Sequence, residues 1–141
     1  MAGEKTLTPG DELSFKLVAD AQISPDGDVV AFVMGDSFKT DGKYQKSNLW
    51  TVSADGGDAR QLTGGPRSAT SPRWSPDGDT LAFLSDRAED GQRQVYLLPT
   101  GGGEALRATD VEGSISKGLS WSPDGRSIAF LKTDPETKDE K

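Results

Sequence analysis

The sequence predicts an all-β protein: a partial β-propeller of about two and a half four-stranded antiparallel blades, preceded by a short N-terminal helix. The first observation is the tetrapeptide Ser-Pro-Asp-Gly, which occurs at 24–27, 75–78 and 122–125, about fifty residues apart. The second is that apolar runs and glycine turns recur in the same order around each copy. The third is that apolar and polar residues do not alternate in the central apolar runs, as they would in a sheet with one solvent-exposed face.

Each tetrapeptide is a turn signal. Proline fixes φ for the second position of a type I turn, aspartate suits the third position, and glycine takes the left-handed conformation that follows. This combination is typical of a three-residue hairpin loop. We therefore expect each copy to reverse the chain between two antiparallel strands.

The segments after each tetrapeptide predict the remaining strands of a blade. An apolar run, a second apolar run, a glycine turn and a short last strand follow in that order. In the two complete copies they are 29–33 and 80–84, 49–52 and 95–98, 55–58 and 100–104, and 59–63 and 105–109. Four short strands at this period are typical of a propeller blade.

The central run of the second copy is apolar on both faces. In a strand, Leu81 and Phe83 point to one side, and Ala82 and Leu84 to the other. Burial of both sides requires a neighbour on each, as a blade has within a propeller. A β-sandwich would need one polar face per sheet and fits this pattern less well.

The ends of the chain set the expected domain boundaries. Thr8-Pro9 is a helix-start signal, and we expect a short helix that ends near Lys16. We predict an N-terminal extension over 1–17 and a propeller segment over 18–141. Within that segment we place blade one at 18–65, blade two at 68–113 and an incomplete blade three at 114–141.

The third unit lacks its outer two strands, because a charged run without apolar residues follows Leu131. Closed propellers have at least about four blades, so we expect an open stack. Its uncovered end faces need neighbouring repeats. We therefore expect the chain to be a segment of a longer polypeptide, or to sit against one.

Composition argues against several kinds of partner. The net charge is −7, from 16 basic and 23 acidic residues, which argues against nucleic acid. The absence of cysteine excludes disulfides and thiol chemistry and fits a reducing compartment. The first residues show no secretory signal, and no apolar run reaches the length of a membrane span. We expect a cytoplasmic chain that binds neither nucleic acid nor membrane.

The sequence offers little catalytic chemistry. It contains no histidine, which excludes a Ser-His-Asp triad and nearly all histidine-based zinc sites within this chain. A Gly-x-Ser-x-Gly motif is also absent. We predict no catalytic, cofactor-binding or metal-binding residue, and no cofactor.

Two motifs superficially suggest a ligand. The Asp-Gly-Asp triplets at 26–28 and 77–79 resemble calcium loops but lack the remaining alternating ligands, so turn chemistry is favoured. The glycines at 101–103 lack the Lys-Ser or Lys-Thr of a phosphate loop. We expect them to form a hairpin turn.

Aromatic residues and one long loop are the other candidates for binding. Trp74 and Trp121 precede two of the turns and could line a pocket, but packing between blades is favoured because aromatics dominate core burial. The same applies to Trp50 and Tyr96. The loop from Gly35 to Ser47 is longer than its counterpart at 86–93, and it is either a binding loop or, as we favour, a solvated connection. It carries Phe38, Lys39, Lys43, Tyr44 and Lys46.

The motif Trp-Ser-Pro-Asp-Gly, followed by a Leu-Ala-Phe-Leu-type strand, resembles the propeller repeats of TolB-type proteins and of the prolyl oligopeptidase family of serine peptidases. The opening, Thr8-Pro9 and a short helix that leads into 20–27 and 30–33, is similar to the N-terminus of acylaminoacyl peptidases in that family. The likeness runs from Thr8 to about Leu131.

This resemblance implies a peptide hydrolase of which the chain is the N-terminal propeller portion. The propeller would gate access of short or N-acylated peptides to a C-terminal α/β-hydrolase domain that holds the serine, aspartate and histidine. The implied partners are the remaining blades, that hydrolase domain and a short peptide substrate, and a homo-oligomer stays open. None of the family's catalytic positions falls within this chain.

Two other interpretations stay open. The first is a non-enzymatic TolB-type propeller module that binds a protein or a ligand; such chains normally enter the periplasm, so the lack of a signal peptide counts against it. The second is a free-standing interaction fragment, whose exposed apolar face would favour aggregation.

Overall fold

The computed structural model describes residues 16–36, 47–64, 68–88 and 92–133, and within these ranges the chain forms strands, turns and bends only. The predicted all-β class is confirmed. The predicted N-terminal helix lies outside the described residues, except that Lys16 already belongs to the first strand. The strands are β1 Lys16–Ile23, β2 Val29–Asp36, β3 Ser47–Ser53, β4 Arg60–Gln61, β5 Ala69–Trp74, β6 Thr80–Ser85, β7 Gln94–Pro99, β8 Leu106–Arg107, β9 Ser114–Trp121 and β10 Ile128–Thr133.

The strands form three antiparallel sheets in which neighbours in sequence are neighbours in space. Two sheets have four strands, in the orders β1-β2-β3-β4 and β5-β6-β7-β8, and the third pairs β9 with β10. This arrangement confirms two complete blades and half of a third. The predicted boundaries of the extension at 1–17 and of the blades at 18–65, 68–113 and 114–141 stay a prediction.

The sheets fan out from their first strands. The first strand of each later sheet makes the contacts between sheets: β5 contacts β1, β2 and β3, and β9 contacts β5, β6 and β7, whereas the outermost strands β4 and β8 do not contact each other. We call β1, β5 and β9 the inner strands. Sheets that are close at one edge and apart at the other have the wedge arrangement of propeller blades around a common axis.

The Ser-Pro-Asp-Gly segments join each inner strand to the next strand, as expected, but the expected loop length is wrong. Residues 24–28 separate β1 from β2, and residues 75–79 separate β5 from β6. These longer loops are stabilised by side-chain oxygens that accept hydrogen bonds from backbone N–H groups of the loop and of the following strand. The Ser24 hydroxyl accepts the Val29 N–H at 3.1 Å, and Asp26 Oδ1 accepts the Asp28 N–H at 2.9 Å.

The core consists of two clusters, one on each side of β6. Leu81 and Phe83 belong to the cluster between blades one and two, and Ala82 and Leu84 to the cluster between blades two and three. All four side chains have 0% exposure. The prediction that this strand is covered on both faces is therefore confirmed.

Candidate functional site

The inner strands share an irregularity that the sequence alone did not reveal. In each, the pairing register with the next strand shifts, and one residue there has positive φ: Asp20 at 51°, Ser71 at 58° and Gly118 at 83°. Each of these residues lies four positions before the serine of its own Ser-Pro-Asp-Gly turn. Bulges of this kind bend a strand and re-aim its side chains. The sequence signal was Gly118, which aligns with Asp20, a residue type that adopts this conformation occasionally, and with Ser71.

The bulge of blade one holds an ion pair that crosses to blade two. Arg73 Nη1 lies 3.0 Å from both carboxylate oxygens of Asp20. Gln22 donates to Asp20 Oδ1 at 2.9 Å, and Arg73 Nη1 also donates to the Pro72 carbonyl at 2.6 Å. Both charged side chains are partly shielded, with exposures of 28% and 32%. The pair therefore fixes two neighbouring inner strands relative to each other.

Two tryptophans connect successive inner strands through their indole groups. Trp74 Nε1 donates to the Gln22 carbonyl at 2.9 Å, and Trp121 Nε1 donates to the Arg73 carbonyl at 3.0 Å. Trp74 packs against the first core cluster and Trp121 against the second. The expected packing between blades is confirmed for both residues. Ile23 has the corresponding position in blade one and is 66% exposed.

The other two aromatic candidates differ from each other. Tyr96 is buried in the first core cluster and stacks on Phe83, with ring centroids 5.8 Å apart, which confirms its predicted packing. The Arg87 guanidinium lies 5.0 Å from the centre of the Tyr96 ring. Trp50 is opposite Phe32 and only half-buried. Because its neighbour Leu49 is buried against blade two, Trp50 lies on the opposite face of blade one, and its predicted packing between blades stays a prediction.

The three Ser-Pro-Asp-Gly turns repeat one network of hydrogen bonds. In the second copy, the Ser75 hydroxyl and the Asp79 N–H both donate to Asp77 Oδ1, at 2.6 and 2.9 Å. These bonds hold the pKa of Asp77 below its usual value of 3.8, the serine hydroxyl being the larger cause. The pKa values of Asp26 and Asp124 are lowered in the same way by Ser24 and Ser122. Of the aspartates that superficially suggested calcium, Asp26 and Asp77 thus use a carboxylate oxygen in turn hydrogen bonds.

The turns also stack across blades. A Cβ placed on Gly78 would lie 3.6 Å from Pro25 Cδ, and one on Gly125 would lie 3.5 Å from Pro76 Cδ. Proline of one turn thus faces glycine of the next. Gly27 in the first turn has no atom within 4 Å of such a Cβ.

Several grooves lie beside these turns, among them one of about 480 Å³ between blades two and three that is lined by Asp77, Trp121 and Gly125. One of about 410 Å³ follows the ends of the inner strands and is lined by Gln22, Arg73, Ser120 and the three turn prolines. A larger one of about 770 Å³ separates blades one and two, with Leu62, Trp74 and Leu98 among its apolar residues and Asp26, Asp77 and Arg60 among its charged ones. Among the described residues that line these grooves, there is no histidine or lysine that could activate a serine or threonine.

The glycines at 101–103 form the expected hairpin turn between β7 and β8, with positive φ at Gly102 and Gly103. Among the residues that the structure describes, no three acidic side chains converge as metal ligands. The prediction that this chain has no catalytic, cofactor or metal residue stays a prediction. The loop candidates Phe38, Lys39, Lys43, Tyr44 and Lys46 lie outside the described residues.

In the described ranges, no helix is long and apolar enough to cross a membrane.

Radiating antiparallel sheets linked by repeated turns define the class of the molecule: a segment of a β-propeller. The chain belongs to the PD40 family, described as the TolB beta propeller domain, whose model matches residues 14–139.

Among curated proteins, the chain is similar to the "Uncharacterized peptidase YuxL" of Bacillus subtilis (strain 168). The two are 42% identical over 116 residues, which is 82% of this chain and 17% of that protein. A Tol-Pal system protein TolB, from Syntrophus aciditrophicus (strain SB), is 42% identical over 64 residues, 42% of this chain and 14% of that protein. The chain thus spans about a sixth of these relatives' length.

Among solved structures, an acylaminoacyl peptidase in complex with Z-Gly-Gly-Phe-chloromethyl ketone has a similar fold. Its TM-score is 0.70 at 20% identity, and the match covers 89% of this chain and 19% of that chain. This likeness shows the fold alone. Together with the peptidase relative, it confirms the resemblance to propeller segments of peptidases that the sequence motifs predicted.

Proposed function

We propose that this chain is the N-terminal propeller segment of a serine peptidase of the acylaminoacyl type. It gates access of short or N-acylated peptides to a C-terminal α/β-hydrolase domain in the same polypeptide. The observation that carries this proposal is the 42% identity with a protein named as a peptidase, over 82% of this chain. The chain matches only 17% of that relative, and our proposal places the catalytic machinery outside the matched stretch.

The geometry supports a gating role rather than a chemical one. The inner strands lie close together. The Asp20–Arg73 ion pair and the two indole hydrogen bonds fix each inner strand relative to the next one. In this proposal, the inner strands form the wall of a channel that leads to the hydrolase domain. Because these strands are held rigidly, the channel can exclude large substrates by size. The sequence contains no histidine, so the usual base that activates a serine must come from another domain.

The proposal includes the partners and location that the sequence suggested. The remaining blades would cover the two end faces, the hydrolase domain would cap the channel, and a short peptide would be the substrate. The cysteine-free composition fits a cytoplasmic location.

The catalytic part of the proposal is tested by hydrolysis of N-acetyl-alanine p-nitroanilide. We expect the complete polypeptide to hydrolyse this substrate, to lose activity with a serine-directed fluorophosphonate, and to carry the label downstream of residue 141. We expect residues 1–141 alone to show no turnover. An inactive, unlabelled complete polypeptide, or turnover by residues 1–141, would contradict the proposal.

The gating part is tested by substrate size. We expect Arg73→Met, which breaks the pair across the inner strands, to raise cleavage of a long peptide relative to a short one in the complete polypeptide. Asp110→Asn is the control, because its contact with Arg107 is long, at 3.9 Å, and solvent-exposed. An unchanged ratio in Arg73→Met would contradict gating by this wall.

A second candidate is a TolB-type binding module without an enzyme. The family description and the TolB relative favour it. In that case the complete polypeptide would bind a partner protein and would fail the hydrolysis and labelling tests.

A further inference from the structure

The two interfaces within the molecule are built in the same direction. In each, the earlier blade contributes only aliphatic side chains, whereas the later blade contributes aromatic side chains as well. Blade one presents Ala31, Val33 and Leu49 to Leu81, Phe83, Tyr96 and Leu98 of blade two. Blade two presents Ala82, Leu84 and Val95 to Trp121, Ile128 and Phe130 of blade three.

Two polar and steric contacts accompany each interface. The later blade supplies an indole N–H to a carbonyl on the preceding inner strand, and it supplies a turn glycine that lies against the preceding turn proline. The carbonyls are those of Gln22 and Arg73, and the prolines are Pro25 and Pro76. The interface is therefore heterologous, with a donor side and an acceptor side.

Blade three carries the acceptor side again on its outer face. Ala129 and Leu131 continue the aliphatic series, and Leu131 is 61% exposed. Ser120 and Pro123 occupy the positions of Arg73 and Pro76. We define these four residues as the outer face of blade three. Within the described part of the chain, no indole reaches the Ser120 carbonyl.

Blade one carries an incomplete donor side on its own outer face. Val30, Phe32 and Trp50 supply its apolar side chains, two of which are aromatic, and all three are only half-buried. Ile23, however, stands where the other two blades have tryptophan, so this face has no indole N–H to donate.

We propose that the outer face of blade three is a docking surface for a β-sheet that carries a tryptophan immediately before a Ser-Pro-Asp-Gly-type turn. The indole of that sheet donates to the Ser120 carbonyl, and its turn glycine lies against Pro123. This inference rests on the proposed function, in which the partner is the next blade of the same polypeptide. The face of blade one binds its neighbour without an indole bond.

The chain itself supplies a probe, because a second copy can present its blade one to blade three of the first. Ile23→Trp completes the donor side of that copy, whereas Ile23→Phe adds an aromatic ring without an N–H. We expect the Ile23→Trp chain to self-associate about five-fold more tightly than the Ile23→Phe chain, the factor that one hydrogen bond supplies. Sedimentation equilibrium measures both dissociation constants.

A second substitution tests whether the two copies meet at the outer face of blade three. We expect Leu131→Asp, added to Ile23→Trp, to abolish the gain, because it puts a charge on the outer face of blade three. Leu131 is exposed, so the variant should fold, and circular dichroism on heating checks this. Equal dissociation constants for the tryptophan and phenylalanine variants, or self-association that survives Leu131→Asp, would overturn the proposal. Neither result depends on hydrolysis, so a failed peptidase test leaves this measurement unaffected.

Discussion

Single residues determine where the backbone leaves the regular strand conformation. The three turn glycines have φ between 73° and 80°, and the repeated Ser-Pro-Asp-Gly motif was sufficient to predict them. The bulges at Asp20 and Ser71 were missed, because no local pattern marks an L-residue that tertiary packing holds at positive φ. The Asp20–Arg73 pair was missed for the same reason, since it depends on how two blades meet.

The second turn glycine should be intolerant of a side chain for a backbone reason. Gly78 has φ of +77° and a Cβ there would make only ordinary contact with Pro25, so strain rather than collision is the cost. We expect Gly78→Ala to lower the free energy of unfolding by about 1–2 kcal/mol. Urea denaturation measures it. Gly101→Ala is the matched control, since Gly101 lies outside the positive-φ region with open space around it, and equal losses in both variants would contradict this explanation.

The turn aspartates should make stability depend on pH. Serine hydroxyls and backbone N–H groups lower the pKa of Asp26, Asp77 and Asp124 below 3.8 in the folded chain. A lowered pKa contributes stability that is complete above the unfolded value and is lost as pH falls through the folded value. We therefore expect the melting temperature to fall with pH from about pH 5 downward.

The triple variant with asparagine at these three positions isolates this contribution. Asparagine still accepts the turn hydrogen bonds through its side-chain oxygen but does not titrate. We expect the triple variant to lose less melting temperature than the natural sequence between about pH 7 and about pH 3. Identical losses in the two chains would mean that other groups cause the acid sensitivity.

At the scale of elements, the sequence predicted the middle strands better than the outer ones. β6 was predictable because its apolar residues occupy both faces without alternation. The fourth strands were predicted over 59–63 and 105–109, but β4 and β8 contain two residues each. The physical reason is exposure: the residues of both strands are exposed, so no packing extends the pairing beyond a short edge.

A threonine hydroxyl closes each complete blade near its fourth strand. Thr109 Oγ1 accepts the Val95 N–H at 2.9 Å and donates to Gln94 Oε1 at 2.6 Å. Thr63 makes the same bonds to Leu49 and Asn48 in blade one.

Removing this hydroxyl should leave a buried amide without a partner. We expect Thr109→Val to cost roughly 1–3 kcal/mol of unfolding free energy, measured by urea denaturation. Thr100→Val is the control, because the Thr100 hydroxyl bonds to the Gly78 carbonyl at an exposed position, and its loss should stay within about 0.5 kcal/mol. If Thr100→Val destabilised the chain as much as Thr109→Val or more, the hydrogen bond between the Thr109 hydroxyl and the Val95 N–H would not be important for the stability of blade two.

For the whole molecule, the repeat predicted the number and kind of blades, and the structure confirms them. The direction of stacking could not be read from the sequence, since it depends on which face of each sheet meets its neighbour. The absence of histidine limits the chemistry of this chain, whereas the proposed gating role concerns the shape of a larger assembly to which we propose that the chain belongs. That role therefore rests on the similarity to peptidases and on the proposed tests.

The most direct test of this account compares two leucines at equivalent positions of neighbouring blades. Leu84 has 0% exposure because blade three covers it, whereas Leu131 is 61% exposed on the outer face of blade three. We expect Leu84→Ala to lower the free energy of unfolding by about 2–5 kcal/mol, and Leu131→Ala to change it by less than about 1 kcal/mol. Urea denaturation of the two variants measures the difference, and equal losses would contradict the claim that these sheets are blades stabilised by their neighbours.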